Sequence, residues 1–261
     1  MLNINLKGQV AIVTGVSSGI GQGVAKMLAR AGCLISGCGT SSASSSGAQK
    51  FMELVNEEGS QALYSSVDVT STSDLERLVL ETVKRFGGVD ILVSNAGVNV
   101  FEGASGCDSS RWDFNMELNL KSHWMVSKLC KPWLEKSDNG VIVLMTSNHS
   151  DNTIPGCFPY NVSKTAIKGL VQSLAIEWGP QVRTVGVAPG FIDTPGNETW
   201  FQSFPDAQAE RERTENMHPV KKIGTVEEVG GLCAFLASDM AAFMSGVTYL
   251  MDGGRSALMQ D

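Results

Sequence analysis

The hydrophobic positions of this chain follow two alternating patterns along almost its whole length. Short runs rich in β-branched and other apolar residues predict strands at 9–14, 33–37, 62–67, 90–94, 140–146, 182–187 and 246–251. Between them, apolar residues at helical spacing predict helices near 19–31, 43–58, 72–86, 109–134, 159–178 and 226–237. Apolar strands that alternate with amphipathic helices are typical of a parallel sheet covered on both faces. The pattern therefore predicts an α/β, doubly wound fold around a seven-stranded parallel sheet.

No change in composition divides the chain into separate domains. The only low-complexity patch, 41–46, is too short to act as a linker. We therefore expect a single domain over 1–261. The segment 191–222 has few strand signals and two helical pieces, near 198–204 and 206–217. A long loop of this kind over the carboxyl end of a sheet predicts a substrate lid, because closure would exclude water from the reaction.

Charge and cysteine usage exclude several classes of function. The net charge of -7 provides no basic stripe for nucleic acid. Six cysteines without a C-x-x-C pair and three distant histidines predict neither a metal site nor a disulfide framework. Residues 1–7 lack the pattern of a secretion signal, and Asp239 and Gly246 interrupt the apolar stretch 232–251. We expect a cytoplasmic protein that binds small molecules and no membrane.

A glycine-rich turn separates the first predicted strand from the first predicted helix. Its sequence is Thr14-Gly15-Val16-Ser17-Ser18-Gly19-Ile20-Gly21. The exposed N–H groups at the start of a helix form an anion site. Gly15 permits a tight turn, while Gly19 and Gly21 allow close approach to a pyrophosphate and close packing of helix on strand. The turn predicts a Rossmann fold that binds a dinucleotide.

The second predicted strand lacks the acidic residue that binds the 2′-hydroxyl of NAD in dinucleotide folds. No Asp or Glu occurs between Gln22 and Met52, and the tip reads Cys38-Gly39-Thr40-Ser41-Ser42. The hydroxyls form either a solvated loop or a pocket for a 2′-phosphate. Both interpretations disfavour strict selectivity for NAD. We expect use of NADP or NAD, with a preference for NADP.

Two further strand ends complete the predicted crevice. Asp68 and Val69 follow the third strand, where an acid can accept a hydrogen bond from the adenine amino group. Asn95-Ala96-Gly97 follows the fourth strand and would bring backbone close to the ribose. Each stretch alone is also compatible with simple turn chemistry. Because the carboxyl ends of parallel strands lie at one edge of the sheet, the two stretches and the glycine turn predict one site.

Candidate catalytic residues follow the fifth strand. Tyr160 and Lys164 are four positions apart, so in a helix both would address one ligand. Tyrosine titrates near 10, and to act as a base near neutrality its pKa must fall by about two, or roughly 2.7 kcal/mol. The Lys164 ammonium and an oxidised nicotinamide would both lower it. Ser147 could bind the reacting oxygen, and Asn119 could hold a water that relays protons to Lys164. A surface Tyr–Lys pair and a core asparagine are the ordinary alternatives.

Together these motifs resemble the short-chain dehydrogenase/reductase family, of the classical short type. The resemblance spans essentially the whole chain and includes Pro189-Gly190, Thr194 and Asp252-Gly253-Gly254. It implies hydride transfer between a nicotinamide cofactor and an alcohol or carbonyl, with Asn119, Ser147, Tyr160 and Lys164 as the catalytic set. The implied cofactor-binding positions are Gly15, Ser17, Ser18, Gly19, Ile20, Gly21, Thr40, Ser41, Asp68, Val69, Asn95, Ala96, Gly97, Tyr160, Lys164, Pro189, Gly190, Ile192 and Thr194. It also implies a homotetramer built from the helices near 109–134 and 159–178 and from the last strand.

The chain departs from the family where the cofactor is selected. NADP-using relatives often carry a basic residue where Ser17 or Thr40 stands, and NAD-using relatives carry an acid at the position of Gly39. The stretches 147–150 and 193–197 resemble the aldose-dehydrogenase branch, in which His149 would contact a polar substrate.

The substrate is therefore expected to be a small polyhydroxy compound, with Ser147, His149, Tyr160 and Trp200 at its site. His149 could instead be a simple turn residue. The alternatives are reduction of a 3-oxoacyl thioester or cyclic ketone, a halohydrin dehalogenase-like lyase, and a non-catalytic cofactor sensor. The intact glycine turn and Lys164 disfavour the lyase, and the complete catalytic set disfavours the sensor.

Overall fold

Seven apolar runs form the strands in a computed structural model, which describes residues 4–259. The two ends of the predicted domain, 1–3 and 260–261, lie outside the described residues. The strands are β1 Val10–Thr14, β2 Leu34–Gly39, β3 Ala62–Ser66, β4 Ile91–Ser94, β5 Gly140–Met145, β6 Val182–Pro189 and β7 Thr248–Met251. All pair in parallel in one sheet, in the order β3-β2-β1-β4-β5-β6-β7. The predicted seven-stranded parallel sheet is confirmed.

The helices follow the predicted pattern with one local departure. They are α1 Gly19–Arg30, α2 Ser46–Glu57, α3 Thr72–Phe86, α4 Ser109–Met116, α5 Ser122–Leu134, α6 Tyr160–Trp178, α7 Pro195–Phe201, α8 Ala207–Asn216 and α9 Val226–Ala237. The long helix predicted over 109–134 is interrupted by a π-helical turn, Glu117–Lys121. Apolar spacing does not distinguish a π turn from an α turn over five residues. π turns are rare and frequently occur at functional sites.

Helices cover both faces of the sheet, and nearly every residue of the central strands is therefore buried. Val13 packs into a core shared with Leu28 of α1, on the face that also carries α2 and α9. Its neighbour Ile12 points the other way, towards Leu78 of α3 and Val126 of α5. The strand order reverses between β1 and β4, and such a switch point is where open α/β sheets bind ligands.

Two other features position the site. β2 continues two residues beyond the predicted end, since Cys38 and Gly39 pair with Ser65 and Ser66. The segment 191–222 contains the short helices α7 and α8 and lies after the carboxyl end of β6. Within residues 4–259, no helix is both long and apolar enough to cross a membrane.

Candidate active site

The glycine turn has the geometry that its residues predict. Gly15 and Gly19 have positive φ angles of 75° and 57°, which suit glycine. A Cβ at Gly21 would lie 2.1 Å from the Gly15 carbonyl oxygen. The turn is anchored to β2, since the N–H of Gly15 donates to the Cys38 carbonyl at 2.9 Å. The helix can therefore start directly against the strand only with glycines at these positions.

The start of α1 leaves polar groups available to a ligand. Ser18 is the N-cap residue, but its side chain makes no capping hydrogen bond. Thr194 lies beside the turn, because a Cβ at Gly19 would be 3.3 Å from its methyl carbon. Ile20 follows Gly19 in the first turn of the helix and is half-buried. A helix start with free N–H groups and a free hydroxyl fits the pyrophosphate of NAD or NADP.

Asn95 braces the crevice and does not point freely into it. Its side-chain Nδ2 donates to the Thr14 carbonyl at 2.9 Å, and its own N–H and that of Ala96 both donate to Thr14 Oγ1 at 2.9 Å. A Cβ at Gly97 would meet Asn119 Oδ1 at 2.6 Å and Lys164 Nζ at 3.5 Å. The Asn95–Gly97 turn thus joins the glycine turn to the catalytic residues. Thr14 stands in the predicted motif, but its double acceptor role is visible only in the structure.

A cluster of hydroxyls lies where the ribose 2′ position is expected. Ser17 Oγ and Tyr64 OH are 3.3 Å apart, and Tyr64 OH donates to the Ser41 carbonyl at 2.9 Å. A Cβ at Gly39 would lie 2.0 Å from Ser17 Oγ and 3.1 Å from Tyr64 OH. Ser17 therefore occupies the space that a side chain at the strand tip would need. Sequence reasoning missed Tyr64, because β3 gives no signal that its side chain reaches across β2.

The other predicted adenosine residues lie at neighbouring strand ends. Thr40 is exposed, and its carbonyl is 3.4 Å from Ser66 Oγ. Asp68 is exposed, and its Oδ1 accepts hydrogen bonds from the N–H and hydroxyl of Thr70, which leaves Oδ2 for adenine. Val69 is buried in the core between sheet and helices, so it can only face a ligand through its backbone.

The implied cofactor-binding residues Pro189, Gly190 and Ile192 lie at and just after the end of β6. Pro189 is its last residue, and a Cβ at Gly190 would lie 2.5 Å from Asp252 Cβ. Ile192 is 3% exposed and its side chain belongs to the core, so it could contact a ligand only through its backbone. Its carbonyl accepts from Asn197 Nδ2 at 2.7 Å, which fixes the start of α7.

Tyr160 and Lys164 lie in the first turns of α6 and are both buried. Lys164 Nζ is 5.6 Å from the centroid of the Tyr160 ring and donates to the Met145 carbonyl at 3.1 Å. Ser147 follows β5 and is 7% exposed. Thr146 Oγ1 donates to the Lys164 carbonyl at 2.6 Å, which joins β5 to α6. The structure thus brings the predicted Ser–Tyr–Lys set together.

The electrostatics of this set differ from the expectation. Burial raises the pKa of Tyr160 to about 12, and its side-chain hydrogen bond with Ser147 offsets only part of that effect. Burial also lowers the pKa of Lys164 to about 8. The expected downward shift of the tyrosine pKa by Lys164 is therefore wrong for these residues alone. Burial disfavours the charged forms of both residues, and this cost exceeds what the two charges would gain by lying near each other.

The side chain of Asn119 is fully engaged by neighbouring residues. Its Oδ1 accepts from the Val98 N–H at 3.0 Å. Its Nδ2 donates to the Val98 carbonyl at 2.9 Å and to Asn115 Oδ1 at 2.9 Å. Both amide protons are used, so Asn119 could hold a water only through the second lone pair of Oδ1 or through the backbone of the π turn.

His149 and Phe101 form the wall of the site next to Tyr160. The Phe101 ring meets Tyr160 edge-on at 5.4 Å, and the His149 ring lies 6.0 Å from Tyr160. His149 Nδ1 hydrogen-bonds Thr153 Oγ1 at 3.1 Å, which leaves Nε2 for other partners. Burial lowers the pKa of His149, which favours the neutral form of the ring. Sequence reasoning missed Phe101, which lies in an irregular loop after β4.

Trp200 belongs to a different aromatic cluster from His149. The centroid of its ring lies 5.6 Å from that of Phe191 and 4.8 Å from that of Phe204, two residues that flank α7 in the chain. Its side chain is 39% exposed. The structure therefore places Trp200 on the segment predicted as a lid, and it contacts neither His149 nor Phe101 there.

Comparison with known proteins finds similarity over nearly the whole chain. The family model described as Enoyl-(Acyl carrier protein) reductase matches residues 15–256. Human dehydrogenase/reductase SDR family member 4 is 34% identical over 251 residues, which cover 95% of this chain and 88% of the relative. Oxidoreductase UcpA of Salmonella typhimurium is 34% identical over 254 residues, with 95% of each chain covered.

Solved structures match over nearly the whole chain. The ligand-free aldohexose dehydrogenase of Thermoplasma acidophilum has a TM-score of 0.87 and 26% identity, with 98% of this chain and 97% of that chain covered. A short-chain dehydrogenase/reductase from Serratia marcescens has a TM-score of 0.87 and 30% identity, with 96% of this chain and 99% of that chain covered.

Proposed function

The chain belongs to the short-chain dehydrogenase/reductase family, and from this premise we propose that its substrate is a small polyhydroxy compound such as a sugar. It is an oxidoreductase that acts on an alcohol or carbonyl group. When bound, the nicotinamide of NAD or NADP supplies or accepts the hydride. The proposal of this substrate class rests on the His149 ring, which lies beside Tyr160. Its Nδ1 bonds Thr153, so its Nε2 is left to bind a substrate hydroxyl.

The roles of the catalytic residues follow from their positions. Tyr160 would move a proton to or from the substrate oxygen, since its hydroxyl is adjacent to Ser147. Ser147 would hold that oxygen in place. Lys164 would bind the ribose with the protons that Met145 does not take.

A sugar fits the mixed character of the wall. The C–H face of a sugar ring can pack on the Phe101 ring, which is 47% exposed. Hydroxyls beyond the reacting carbon can bond His149 Nε2. The aldohexose dehydrogenase named among the similar structures acts, by its name, on such a substrate. A long acyl thioester would find fewer polar partners than a sugar does at this wall.

The substrate class is tested with a panel of aldoses, polyols, cyclic ketones and 3-oxoacyl thioesters with each cofactor. We expect turnover of an aldose or polyol, read from absorbance of the reduced nicotinamide. His149→Phe should raise KM for that substrate about threefold to tenfold, because it removes one hydrogen bond and keeps the aromatic contacts. Leu80→Phe, which places a phenylalanine on the exposed face of α3 away from the site, is the control. Exclusive turnover of acyl thioesters or cyclic ketones would contradict the proposal.

We also propose that 191–222 closes over the substrate as a lid. The two short helices are tied together by Arg211 of α8, which pairs with Asp193 at 3.1 Å and with Glu198 of α7 at 2.6 Å. The guanidinium also lies 4.7 Å from the Phe201 ring centroid. These contacts allow α7 and α8 to move as one unit over Thr194 and the crevice.

A homotetramer is proposed from apolar side chains that face solvent on α5 and α6. Ile176 is 81% exposed and Trp124 is 38% exposed. Other apolar residues of α6, such as Ile167 and Val171, are buried in the core and are not available to a partner subunit. We expect light scattering of the wild type to give about four times 27.8 kDa. Ile176→Glu should give a smaller assembly, while Leu80→Glu on α3 should leave the mass unchanged. A wild-type mass near 28 kDa would refute the tetramer.

A further inference from the structure

Asn115 is a buried asparagine of α4 that the proposed chemistry does not use. It lies one helical turn before Asn119, and its side chain is 0% exposed. The Nδ2 group donates to the Pro159 carbonyl at 3.1 Å. The Oδ1 atom accepts from Asn119 Nδ2 at 2.9 Å and lies 3.5 Å from Ser163 Oγ. One amide therefore contacts three polar groups that belong to different parts of the active site.

The donor side of this amide holds the start of the catalytic helix. Pro159 is the residue immediately before Tyr160, and its carbonyl also accepts from the N–H groups of Val162 and Ser163, at 3.1 and 3.3 Å. Ser163 Oγ donates to the Tyr160 carbonyl at 2.7 Å. Asn115 thus fixes the carbonyl around which the first turn of α6 is wound, and that turn carries Tyr160.

The acceptor side holds the loop over the lysine. Asn119 is paired through its side chain with the backbone of Val98, and Gly97 lies between Asn119 and Lys164 Nζ. By accepting from Asn119 Nδ2, Asn115 sets which way that amide faces. Reversal of the amide would place an NH₂ group against the Val98 N–H. The orientation of Asn119 and the position of the Gly97–Val98 backbone therefore depend on Asn115.

We propose that Asn115 is a positioning residue for Tyr160 and the Gly97–Val98 loop in the oxidoreductase reaction. The inference rests on the proposed function in that Tyr160 moves the proton. An amide offers the donor for Pro159 and the acceptor for Asn119 on two separate atoms, whereas a hydroxyl has a single, closer oxygen for both. An apolar side chain would leave buried partners unpaired, and a carboxylate would repel the Pro159 carbonyl.

The test compares Asn115→Asp with Asn139→Asp. Asn139 also bridges elements, donating to the Ala237 carbonyl at 3.0 Å and accepting from Arg183 at 3.3 Å, but it precedes β5 at the opposite end of the sheet. We expect Asn115→Asp to lower kcat about tenfold to thirtyfold, because a small displacement of reacting groups slows chemistry steeply. The dissociation constant of the cofactor, from tryptophan quenching, should change less than about threefold. The control should keep wild-type kcat.

Two readouts separate positioning from loss of stability. Amide hydrogen exchange at Val162 and Ser163 should accelerate in Asn115→Asp and not in Asn139→Asp. At lower pH the introduced carboxyl becomes protonated and can donate to Pro159, so its kcat relative to wild type should recover as pH falls. If Asn115→Asp does not fold, Asn115→Ser brings no charge into the core and should show the same loss of kcat.

The outcomes distinguish this proposal from the proposed function. A kcat within twofold of wild type in an Asn115 variant, with Tyr160→Phe inactive, overturns the positioning role alone. Unchanged exchange at Val162 and Ser163 also overturns it. If the wild type turns over no alcohol or carbonyl compound, the proposed function fails, and the exchange experiment still decides whether Asn115 holds α6.

Discussion

Replacing Tyr160 with phenylalanine is expected to lower the chemical rate about 10²–10⁴-fold and to leave cofactor affinity nearly unchanged. The hydroxyl is the one group placed to move a proton at the substrate oxygen, beside Ser147. The ring itself would remain, with its edge-on contact to Phe101 at 5.4 Å. Because only the hydroxyl is lost, the wall of the site and the position of Lys164 should persist.

Single-turnover kinetics at saturating cofactor and substrate measure this effect directly. Tyr249→Phe makes the same change on β7, away from the crevice, and should behave as wild type. Lys164→Ala should weaken cofactor binding as well as lower the rate, because Lys164 is assigned both the ribose and the tuning of Tyr160. Turnover near the wild-type rate by Tyr160→Phe would remove the tyrosine from its assigned role.

Burial explains why the spacing of Tyr160 and Lys164 did not predict the pKa of the tyrosine. A separation of four positions on a helix places Tyr160 and Lys164 on one face, and that prediction is confirmed by their place in α6. The same helix start is buried beneath the loop after β4, so desolvation raises the pKa of Tyr160 to about 12 and lowers that of Lys164 to about 8. Burial depends on tertiary packing, which the spacing of residues does not contain.

Most of the fold could be predicted because it depends on local patterns. Each observed strand lies within its predicted run or extends at most two residues beyond it. These strands could be found from the sequence because strands that are buried on both faces are mostly apolar. The predicted end of β2 at residue 37 is two residues short, because Cys38 and Gly39 pair with Ser65 and Ser66 of β3. The π turn at Glu117–Lys121 could not be predicted, because it differs from an α-helix only in its hydrogen bonds.

The site residues that were missed act through contacts distant in sequence. Tyr64 reaches Ser17 over 47 positions, and Asn115 reaches the Pro159 carbonyl over 44. Neither residue type is unusual for its element, so neither stands out in the sequence. The motif residues were found because their chemistry is tied to a strand end or to a helix start. Side chains that support the motif from a neighbouring element carry no comparable signal.

Cofactor preference should be reversed by the double variant Ser17→Gly/Gly39→Asp. Because relatives that use NAD carry an acid at the position of Gly39, the sequence predicts that Gly39→Asp alone would disfavour a 2′-phosphate. The structure corrects this, since a Cβ at Gly39 would lie 2.0 Å from Ser17 Oγ, so the serine hydroxyl must rotate away or be removed before the carboxylate fits. Tyr64 OH, 3.1 Å from that Cβ, would have to release the Ser41 carbonyl in order to donate to the new carboxylate.

The expected change in the ratio of kcat/KM for the two cofactors is about a hundredfold or more towards NAD. A carboxylate at the strand tip gains a charge-assisted hydrogen bond from the ribose hydroxyl of NAD, about 1.5–3 kcal/mol, and repels the 2′-phosphate of NADP. Ser17→Gly alone should reduce use of NADP only slightly, because it removes one neutral hydroxyl from the cluster with Tyr64 and Ser41. Gly39→Asp alone should lower activity with both cofactors through the clash with Ser17. A wild-type preference for NAD of a hundredfold or more would contradict the assignment, because nothing in the hydroxyl cluster of Ser17, Tyr64 and Ser41 could produce it.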